Sequence, residues 1–398
     1  MTNSKRIAII GASIAGIAAA DAARTSGYTG EIHVYDAQEG FPYDKPPMSK
    51  GILTGDLEFK ALELKPSHHW DEANVKLRLG QPVLKIDEEK GVLTADGWER
   101  YDGIILATGG QPRSTPFPIH PNVRSHILRT TDDAQALRDA LVKSEDVVII
   151  GGGFIGMEVA AAARKMGRNC TVVERERMPL GTAVGDEVAG FILDRHKHAS
   201  CEFRTNVSVS GIDEARDGKA LVHLSNGDSI HASTVVLSIG VEPAVRFLEG
   251  SGLEIDNGIV TDGYCQTNLP KIYACGDVAR TYSYLYETHL RIEHWTTARE
   301  QGARAASNLI ADLSGAAQQP FMHVPYVWSD QFDMKIQIVG RHFEGAVVNI
   351  VHLDDRSLVA EFHLDGTLCG GVAINKVKNA MEMRRTMHKN LTSVATSS

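Results

Sequence analysis

The sequence predicts an α/β protein built on two Rossmann-like dinucleotide-binding units, and three observations carry that prediction. Residues 7–16 read Ile-Ala-Ile-Ile-Gly-Ala-Ser-Ile-Ala-Gly, and residues 147–156 repeat the pattern as Val-Val-Ile-Ile-Gly-Gly-Gly-Phe-Ile-Gly, offset by 140 positions. Each glycine turn follows a short apolar, mostly β-branched run, as a strand buried on both faces would, and precedes a helical stretch, 17–25 and 157–166. Each is then followed by an apolar strand ending in an acid, Asp36 and Glu174, lying 25 and 23 residues beyond Gly11 and Gly151.

The chemistry of such a turn explains its residue types. Backbone N–H groups at a helix N-terminus, with no side chains in the way, let a pyrophosphate rest on the positive end of the helix dipole. An acid about 20 residues further on accepts hydrogen bonds from a ribose 2′-OH. Two copies in register imply two bound dinucleotides. Each unit closes with a strand running into glycine, 104–110 and 235–240, and hairpin turns are predicted at Asp96-Gly97, Asp217-Gly218 and Asn226-Gly227. Residues 269–279 read as a strand ending in Gly276-Asp277 ahead of a helix, an arrangement that brings the Asp carboxylate to a cofactor hydroxyl while Gly permits close backbone approach.

Composition bounds the rest. At 398 residues the chain has room for two to three domains, and with 43% hydrophobic and 23% charged residues it fits an ordinary soluble protein. It contains no run of eighteen or more apolar residues, so no membrane-spanning helix is expected. Lys5-Arg6 and the apolar residues after them imitate a signal peptide, but the glycine turn assigns them to a folded unit, and a cytoplasmic location is expected. Cys170, Cys201, Cys265, Cys275 and Cys369 are odd in number and form no C-x-x-C pair, which suggests neither a disulfide framework nor a metal site. A formal charge of −9 argues against nucleic acid as a partner.

In order, the chain carries Gly11 to Gly16, Pro42-Tyr43-Asp44-Lys45-Pro46-Pro47-Met48-Ser49-Lys50, Ala107-Thr108-Gly109, Gly156-Met157-Glu158, Cys275-Gly276-Asp277, Arg291-Ile292-Glu293-His294-Trp295 and Trp328-Ser329-Asp330-Gln331-Phe332-Asp333. With these residues it resembles the two-dinucleotide flavoprotein reductases, and most closely the putidaredoxin reductase and rubredoxin reductase branch, over nearly the whole chain. The resemblance implies a glutathione-reductase-like pair of Rossmann domains plus a C-terminal αβ interface domain. The FAD domain would be discontinuous, 1–112 and 243–321, the NAD domain would span 113–242, and the C-terminal domain 322–398.

The resemblance also implies site residues. For FAD it gives the pyrophosphate turn Gly11, Ser13, Ile14, Ala15 and Gly16, the ribose acid Asp36, Lys50 near the flavin ring, Asp277 with Gly276 on the ribityl chain, and Trp295 beside the isoalloxazine. Lys45, Val83, Ala107, Thr108, Gly109, Arg113, Glu293 and His294 complete that set. For NADH it gives Gly153, Phe154, Ile155 and Gly156, Glu158 near the nicotinamide, Glu174 on the adenosine ribose, and Gly240. The chain departs from the family at Ser13, which replaces the second glycine of the fingerprint, and at Lys45, where Arg is common and a planar fork becomes a point charge. Cys275 replaces a small residue and Ala244 an Asn.

An enzyme of this type passes a hydride from nicotinamide to flavin with the rings held about 3 to 3.5 Å apart, so position and electrostatics are the protein's contribution. Lys50, Glu158 and Trp295 are the catalytic candidates, the first two as a charge pair. Against these stand a solvated surface Lys50, a first-turn Glu158 favoured by the helix dipole, and a Trp295 that only packs the core. Glu174 favours NADH over NADPH, although Arg175 and Arg177 leave room for weaker NADPH use.

Residues 1–169 contain no Cys, which removes the thiol-dependent reductases, and Cys275 is expected to be a single buried thiol. The acceptor expected is a [2Fe-2S] ferredoxin serving a cytochrome P450 or Rieske-type oxygenase. Its acidic surface would be met by Lys376, Lys378, Arg384, Arg385 and Lys389. Two alternatives stay open: an NADH-dependent reductase of monodehydroascorbate or a quinone, and a redox-signalling flavoprotein resembling apoptosis-inducing factor.

Overall fold

The computed structural model describes residues 5–395, so the outermost ends of the expected domains, 1–4 and 396–398, lie outside the described residues. Two five-stranded parallel sheets dominate. The first runs Ile272–Ala274, Gly103–Leu106, Arg6–Ile10, Glu31–Tyr35, Val75–Arg78; the second runs Cys201–Arg204, Asn169–Val173, Asp146–Ile150, Thr234–Leu237, Ser125–His126. In both, the strand that leads into the glycine turn is central, and its apolar run is buried, as the absence of alternation requires. The first sheet recruits its edge strand Ile272–Ala274 from beyond the second sheet. The chain crosses between them on two short strands, Gly110–Pro112 and Val241–Pro243, that pair antiparallel.

Both helices begin three residues earlier than their sequence suggests, at Ile14 and Phe154, with Ser13 and Gly153 as N-caps. The closing glycine of each fingerprint therefore lies inside the helix. A Cβ on Gly16 would sit 1.8 Å from the Gly11 carbonyl oxygen, and one on Gly156 would sit 2.1 Å from that of Gly151, so the glycines are what let the helix pack against its own turn. The three hairpins form where expected, between Gly91–Thr94 and Gly97–Glu99 and along Val209–Glu214, Ala220–Leu224 and Ser229–Ala232.

One expectation is corrected. Gly276-Asp277 does not precede an α-helix: a single 3-10 turn, Gly276–Val278, leads straight into the strand Ala279–Ser283. The run Thr281-Tyr282 favours strand over helix. The long helix comes later, at Trp295–Ser314, and packs across the first-turn helix Ile14–Thr25 so closely that a Cβ on Gly302 would stand 2.1 Å from the Ala15 carbonyl oxygen.

The remaining chain forms an antiparallel sheet in the order Tyr326–Gln331, Met334–Gly340, Thr367–Ile374, Leu358–Leu364, Val347–Leu353. The helix Val377–Ala395 covers one face through Ala380, Met383, Met387 and Leu391. The other face contributes Ile336, Ile338, Val372 and Ile374 to a core shared with Met157, Val188 and Ile192 of the second unit. That shared core fixes the strand Tyr326–Gln331 over the second-turn helix Phe154–Lys165. Among the described residues, no helix is long and apolar enough to cross a membrane.

Candidate functional site

The first turn is shaped by backbone. Gly11 adopts φ +110°, and a Cβ there would stand 2.3 Å from the Ala107 carbonyl oxygen. Ser13 caps the helix Ile14–Thr25 without a side-chain hydrogen bond to it. Asp36 ends the neighbouring strand and accepts from the Ala12 N–H at 2.7 Å and the Gln38 N–H at 2.9 Å, so the acid is held at the mouth of the turn. A cleft opens here between Ala12, Ser13, Asp36, Phe41, Tyr43 and Lys45.

Lys45 lies among Asp36, Asp277 and Arg129; burial and the Arg129 guanidinium push its ammonium down to about 8. It donates to the Tyr43 hydroxyl and to the Arg129 carbonyl, both at 3.2 Å. Burial pushes the Asp277 carboxyl up, against Arg129 and Arg291, which favour its charge. Its backbone carbonyl accepts from Arg291 at 3.2 Å.

The second turn has the same local geometry in a more open setting. Gly151 has φ +104°, with its virtual Cβ 2.2 Å from the Ser238 carbonyl oxygen. Glu174 accepts from the Gly152 N–H at 2.6 Å and the Glu176 N–H at 2.9 Å, as Asp36 does in the first copy. Gly153 and Ile155 are exposed, and a Cβ on Gly153 would meet nothing within 4 Å.

Lys50 and Glu158 meet between the two units. The Pro46–Ser49 turn, started by two prolines, presents Ser49 and Lys50 side by side. Lys50 Nζ lies 2.8 Å from Glu158 Oε1. Ser49 donates to Oε2, and Ser329 of the C-terminal sheet donates to Oε1 at 2.6 Å. Glu158 is 6% exposed and Lys50 20%, so this is not a solvated surface lysine. Nor is Glu158 a first-turn acid, because the helix starts at Phe154 and its first turn holds none. Burying such a pair is costly, and stranding one partner costs about 3–5 kcal/mol, which the hydroxyl donors on Glu158 partly offset.

Trp295 opens the long helix, donates through Nε1 to Asp44 Oδ1 at 2.7 Å, and meets Trp328 edge-on at 5.7 Å. Burial raises the Asp44 carboxyl while the indole donor holds it back. His294 caps the same helix; burial, then repulsion from His323 and Arg341, bring it down to about 4. Glu293 pairs with Arg291. Thr108 donates to the Ala244 carbonyl at 3.0 Å, which ties Ala107-Thr108-Gly109 to the return crossing.

The remaining candidates are less central. Arg113 is exposed and donates to the Val241 carbonyl beside Gly240, and Val83 packs on the core beneath the hairpin at Gly91–Glu99.

Several residues of the site were not legible in advance. Arg129 approaches Gly109 to 3.0 Å of a virtual Cβ, yet in sequence it only precedes the capping box of Thr130 and Asp133. Ser49, Asp44 and Ser329 stood inside quoted motifs without a role. Two expectations about single residues are revised. Arg384 is not free for docking: it pairs with Glu300 at 3.0 Å and lies over the Tyr326 ring. Cys275 is not isolated, because Cys265 neighbours it; burial raises both thiols, Cys275 to about 12, which keeps them unreactive. Cys170 and Cys201 are also partners on paired strands.

The residues present fit FAD on the first turn. Its helix cap leaves N–H groups for a pyrophosphate, Arg129 and Lys45 supply positive charge, and the half-buried Asp277 carboxylate takes no hydrogen bond from the described residues, which leaves it free to accept one from a cofactor hydroxyl.

Comparison with known proteins agrees. The family model described as pyridine nucleotide-disulphide oxidoreductase matches residues 5–302, and one described as reductase C-terminal matches 326–397. Rhodocoxin reductase of Rhodococcus erythropolis is 35% identical, covering 96% of this chain and 89% of its own. The ferredoxin–NAD(+) reductase component of the anthranilate 1,2-dioxygenase system of Burkholderia cepacia is 34% identical, covering 95% and 92%. The crystal structure of a covalent putidaredoxin reductase–putidaredoxin complex superposes with a TM-score of 0.89 at 28% identity, covering 98% and 94%. The chain therefore belongs to the pyridine nucleotide-disulphide oxidoreductase family and, within it, to the branch of ferredoxin and rubredoxin reductases, enzymes for which FAD is the characteristic cofactor.

Proposed function

We propose that this enzyme is an NADH-dependent ferredoxin reductase that delivers single electrons to a [2Fe-2S] ferredoxin, which in turn serves a cytochrome P450 or Rieske-type oxygenase. The observation that carries the reading is the Lys50–Glu158 pair, 2.8 Å long, with Glu158 buried and Lys50 half-buried. Bound FAD would supply the coupling between two-electron and one-electron chemistry. Gly11, Ser13, Ile14, Ala15 and Gly16 would hold its pyrophosphate, Asp36 its ribose and Asp277 its ribityl chain. Glu158 fixes the Lys50 ammonium at the flavin side and borders the nicotinamide. Trp295, anchored on Asp44 and edge-on to Trp328, would border the flavin ring. The domain limits that go with this reading are 1–112 with 243–321, 113–242 and 322–398.

Preference for NADH rests on Glu174. Two backbone N–H groups hold its carboxylate in place, and a fixed negative charge there repels a 2′-phosphate. Arg175 and Arg177, exposed and held only by surface pairs with Glu176 and Asp186, leave room for a 2′-phosphate against that repulsion. NADPH use is therefore weaker. Ferredoxin docking falls to Lys378, Arg385 and Lys389, which line one exposed stripe of the C-terminal helix with Glu382 among them, and to the half-buried Lys376 just before that helix.

The test is stopped-flow reduction of the holoenzyme by NADH, followed by cytochrome c reduction with and without an acidic [2Fe-2S] ferredoxin. Fast bleaching with ferredoxin-dependent, salt-sensitive cytochrome c reduction is expected. Fast bleaching to which ferredoxin adds nothing rejects the acceptor.

A further inference from the structure

The C-terminal sheet reaches the Lys50–Glu158 pair through a chain of buried polar groups. Ser329 and Gln331 lie two apart on the strand Tyr326–Gln331 and so share a face. Ser329 donates to Glu158 Oε1 at 2.6 Å, Gln331 Nε2 meets Ser329 Oγ at 3.0 Å, and His196 Nε2 meets Gln331 Oε1 at 2.8 Å. All four side chains are nearly sealed from water: Glu158 is 6% exposed, Ser329 1%, Gln331 and His196 0%. The strand end is clamped by Phe332, whose ring lies 4.8 Å from that of His196, and by Asp333, which pairs with Arg195 at 3.1 Å.

The direction of donation along this chain is forced. An ionised Glu158, paired with Lys50, can only accept. Ser329 has one hydroxyl hydrogen and must spend it on the carboxylate, so it accepts from the Gln331 amide. The Gln331 oxygen then faces His196, whose Nε2 must carry the proton. Reversing any one link would set two acceptors against each other in a buried site, the costliest error in a hydrogen-bond network.

We propose that Ser329 is a positioning residue for Glu158, and through it for Lys50, with Gln331 and His196 fixing the direction of its hydroxyl. The C-terminal unit then completes the hydride-transfer site as well as covering it. This rests on the Lys50–Glu158 reading above. It gives the Trp328–Asp333 motif a purpose that a packing strand does not need, since an apolar residue at 329 or 331 would fill the same space without a donor.

The experiment compares holoenzymes carrying Ser329→Ala, Ser329→Thr, Gln331→Met and Glu158→Gln by stopped-flow NADH reduction, with the flavin potential measured by dye equilibration. Ser329→Ala should lower the limiting reduction rate on the order of tenfold with the NADH dissociation constant unchanged, since misplacement of a positioned group acts on rate. Ser329→Thr, which keeps the hydroxyl, should restore it. The potential of Ser329→Ala should move in the same sense as that of Glu158→Gln. Gln331→Met should slow reduction in the same way, and serves if Ser329→Ala does not fold.

If Glu158→Gln slows reduction but Ser329→Ala and Gln331→Met do not, the positioning role alone is overturned. A Ser329→Thr enzyme as slow as Ser329→Ala overturns it too. If Glu158→Gln itself reduces at the wild-type rate, the Lys50–Glu158 reading falls and takes this inference with it.

Discussion

The two glycine turns share one local design and differ in what lies over them. In each, a positive-φ glycine abuts the closing strand, and an acid from the neighbouring strand binds the next N–H, Asp36 on Ala12 at 2.7 Å and Glu174 on Gly152 at 2.6 Å. Over the first turn, the Trp295–Ser314 helix packs on Ala15 where Gly302 gives it room, and Gly276 approaches Ala15 from the other side. Over the second, Gly153 and Ile155 face solvent. The same peptide geometry thus makes an enclosed seat in one unit and an open one in the other. If FAD takes the first turn and the nicotinamide nucleotide the second, as proposed, tertiary cover rather than the fingerprint would separate a resident cofactor from an exchanging one.

The largest effects should come from testing whether the two turns are separable. Gly11→Ala and Gly151→Ala each force a Cβ to within 2.3 Å of a backbone oxygen at a φ above +100°, and each should destabilise its unit by about 3 kcal/mol or more. The consequences should differ. Gly11→Ala is expected to purify without flavin, whereas Gly151→Ala should stay yellow and fail to be bleached by NADH. Loss of flavin in both, read from the visible spectrum, would merge the two seats into one.

Next in size is an acid sensitivity built into the cover of the first turn. His294, at the start of the long helix, is held neutral, its value lowered from 6.5 to about 4 by burial and then by His323 and Arg341. Between those values the unfolded chain binds a proton that the folded one does not, so stability is full above pH 6.5 and falls as pH drops towards 4. The loss amounts to about 3 kcal/mol. Glu300 adds a lower window: burial opposes its charge, but hydrogen bonds from His323 and Arg384 hold it down at about 2, so its contribution fades from pH 4.5 downward. His294→Asn should reduce the slope of the upper window, to which His323, also lowered by burial, contributes as well, in denaturant titrations at pH 4.5, 5.5 and 6.5. An unchanged slope across that range would rule His294 out as its origin.

How much of this could be read in advance depended on how local each feature is. The strands, the turns, Asp36 and Glu174 follow from short-range patterns, because a buried strand and a glycine-capped helix leave marks within about thirty residues. The resemblance brought Lys50 and Glu158 together as a pair. Their companions did not emerge. Ser49 and Ser329 reach Glu158 across 109 and 171 residues, and a serine in a strand or turn carries no mark of the carboxylate it will meet. Arg384 was misread for the same reason, since its partner Glu300 lies 84 residues away on another helix. The helix expected after Gly276-Asp277 was overridden by the local β-propensity of Thr281-Tyr282.

A smaller effect sharpens the open seat. Glu174→Gln keeps one acceptor oxygen but removes the charge, so NADH should bind about tenfold more weakly, roughly 1.4 kcal/mol. NADPH should lose less, since the repulsion of its 2′-phosphate goes as well. The ratio of kcat/KM for the two nucleotides is the measurement, and a ratio that does not move would detach Glu174 from nucleotide choice.

The smallest and most direct comparison exchanges the residues in which the two fingerprints differ at their caps. Ser13 makes no side-chain hydrogen bond to its helix, so Ser13→Gly loses no cap and should change stability by a few tenths of a kcal/mol. A Cβ on Gly153 meets nothing within 4 Å, so Gly153→Ser should be equally neutral for the fold. Function should respond unequally. At the covered first turn Ser13 lines the cleft, where its hydroxyl would serve a phosphate oxygen on the proposed reading, and Ser13→Gly should weaken FAD retention several-fold in gel filtration at low cofactor concentration. At the open second turn a new side chain stands where a pyrophosphate must approach the backbone, and Gly153→Ser should raise KM for NADH several-fold with little change in kcat. Because neither residue bears on folding, any difference between the two exchanges reports on ligand approach alone. Equal and negligible effects would mean that neither cap touches its dinucleotide, and that the acids and the charges around Lys45 and Arg129 carry the recognition instead.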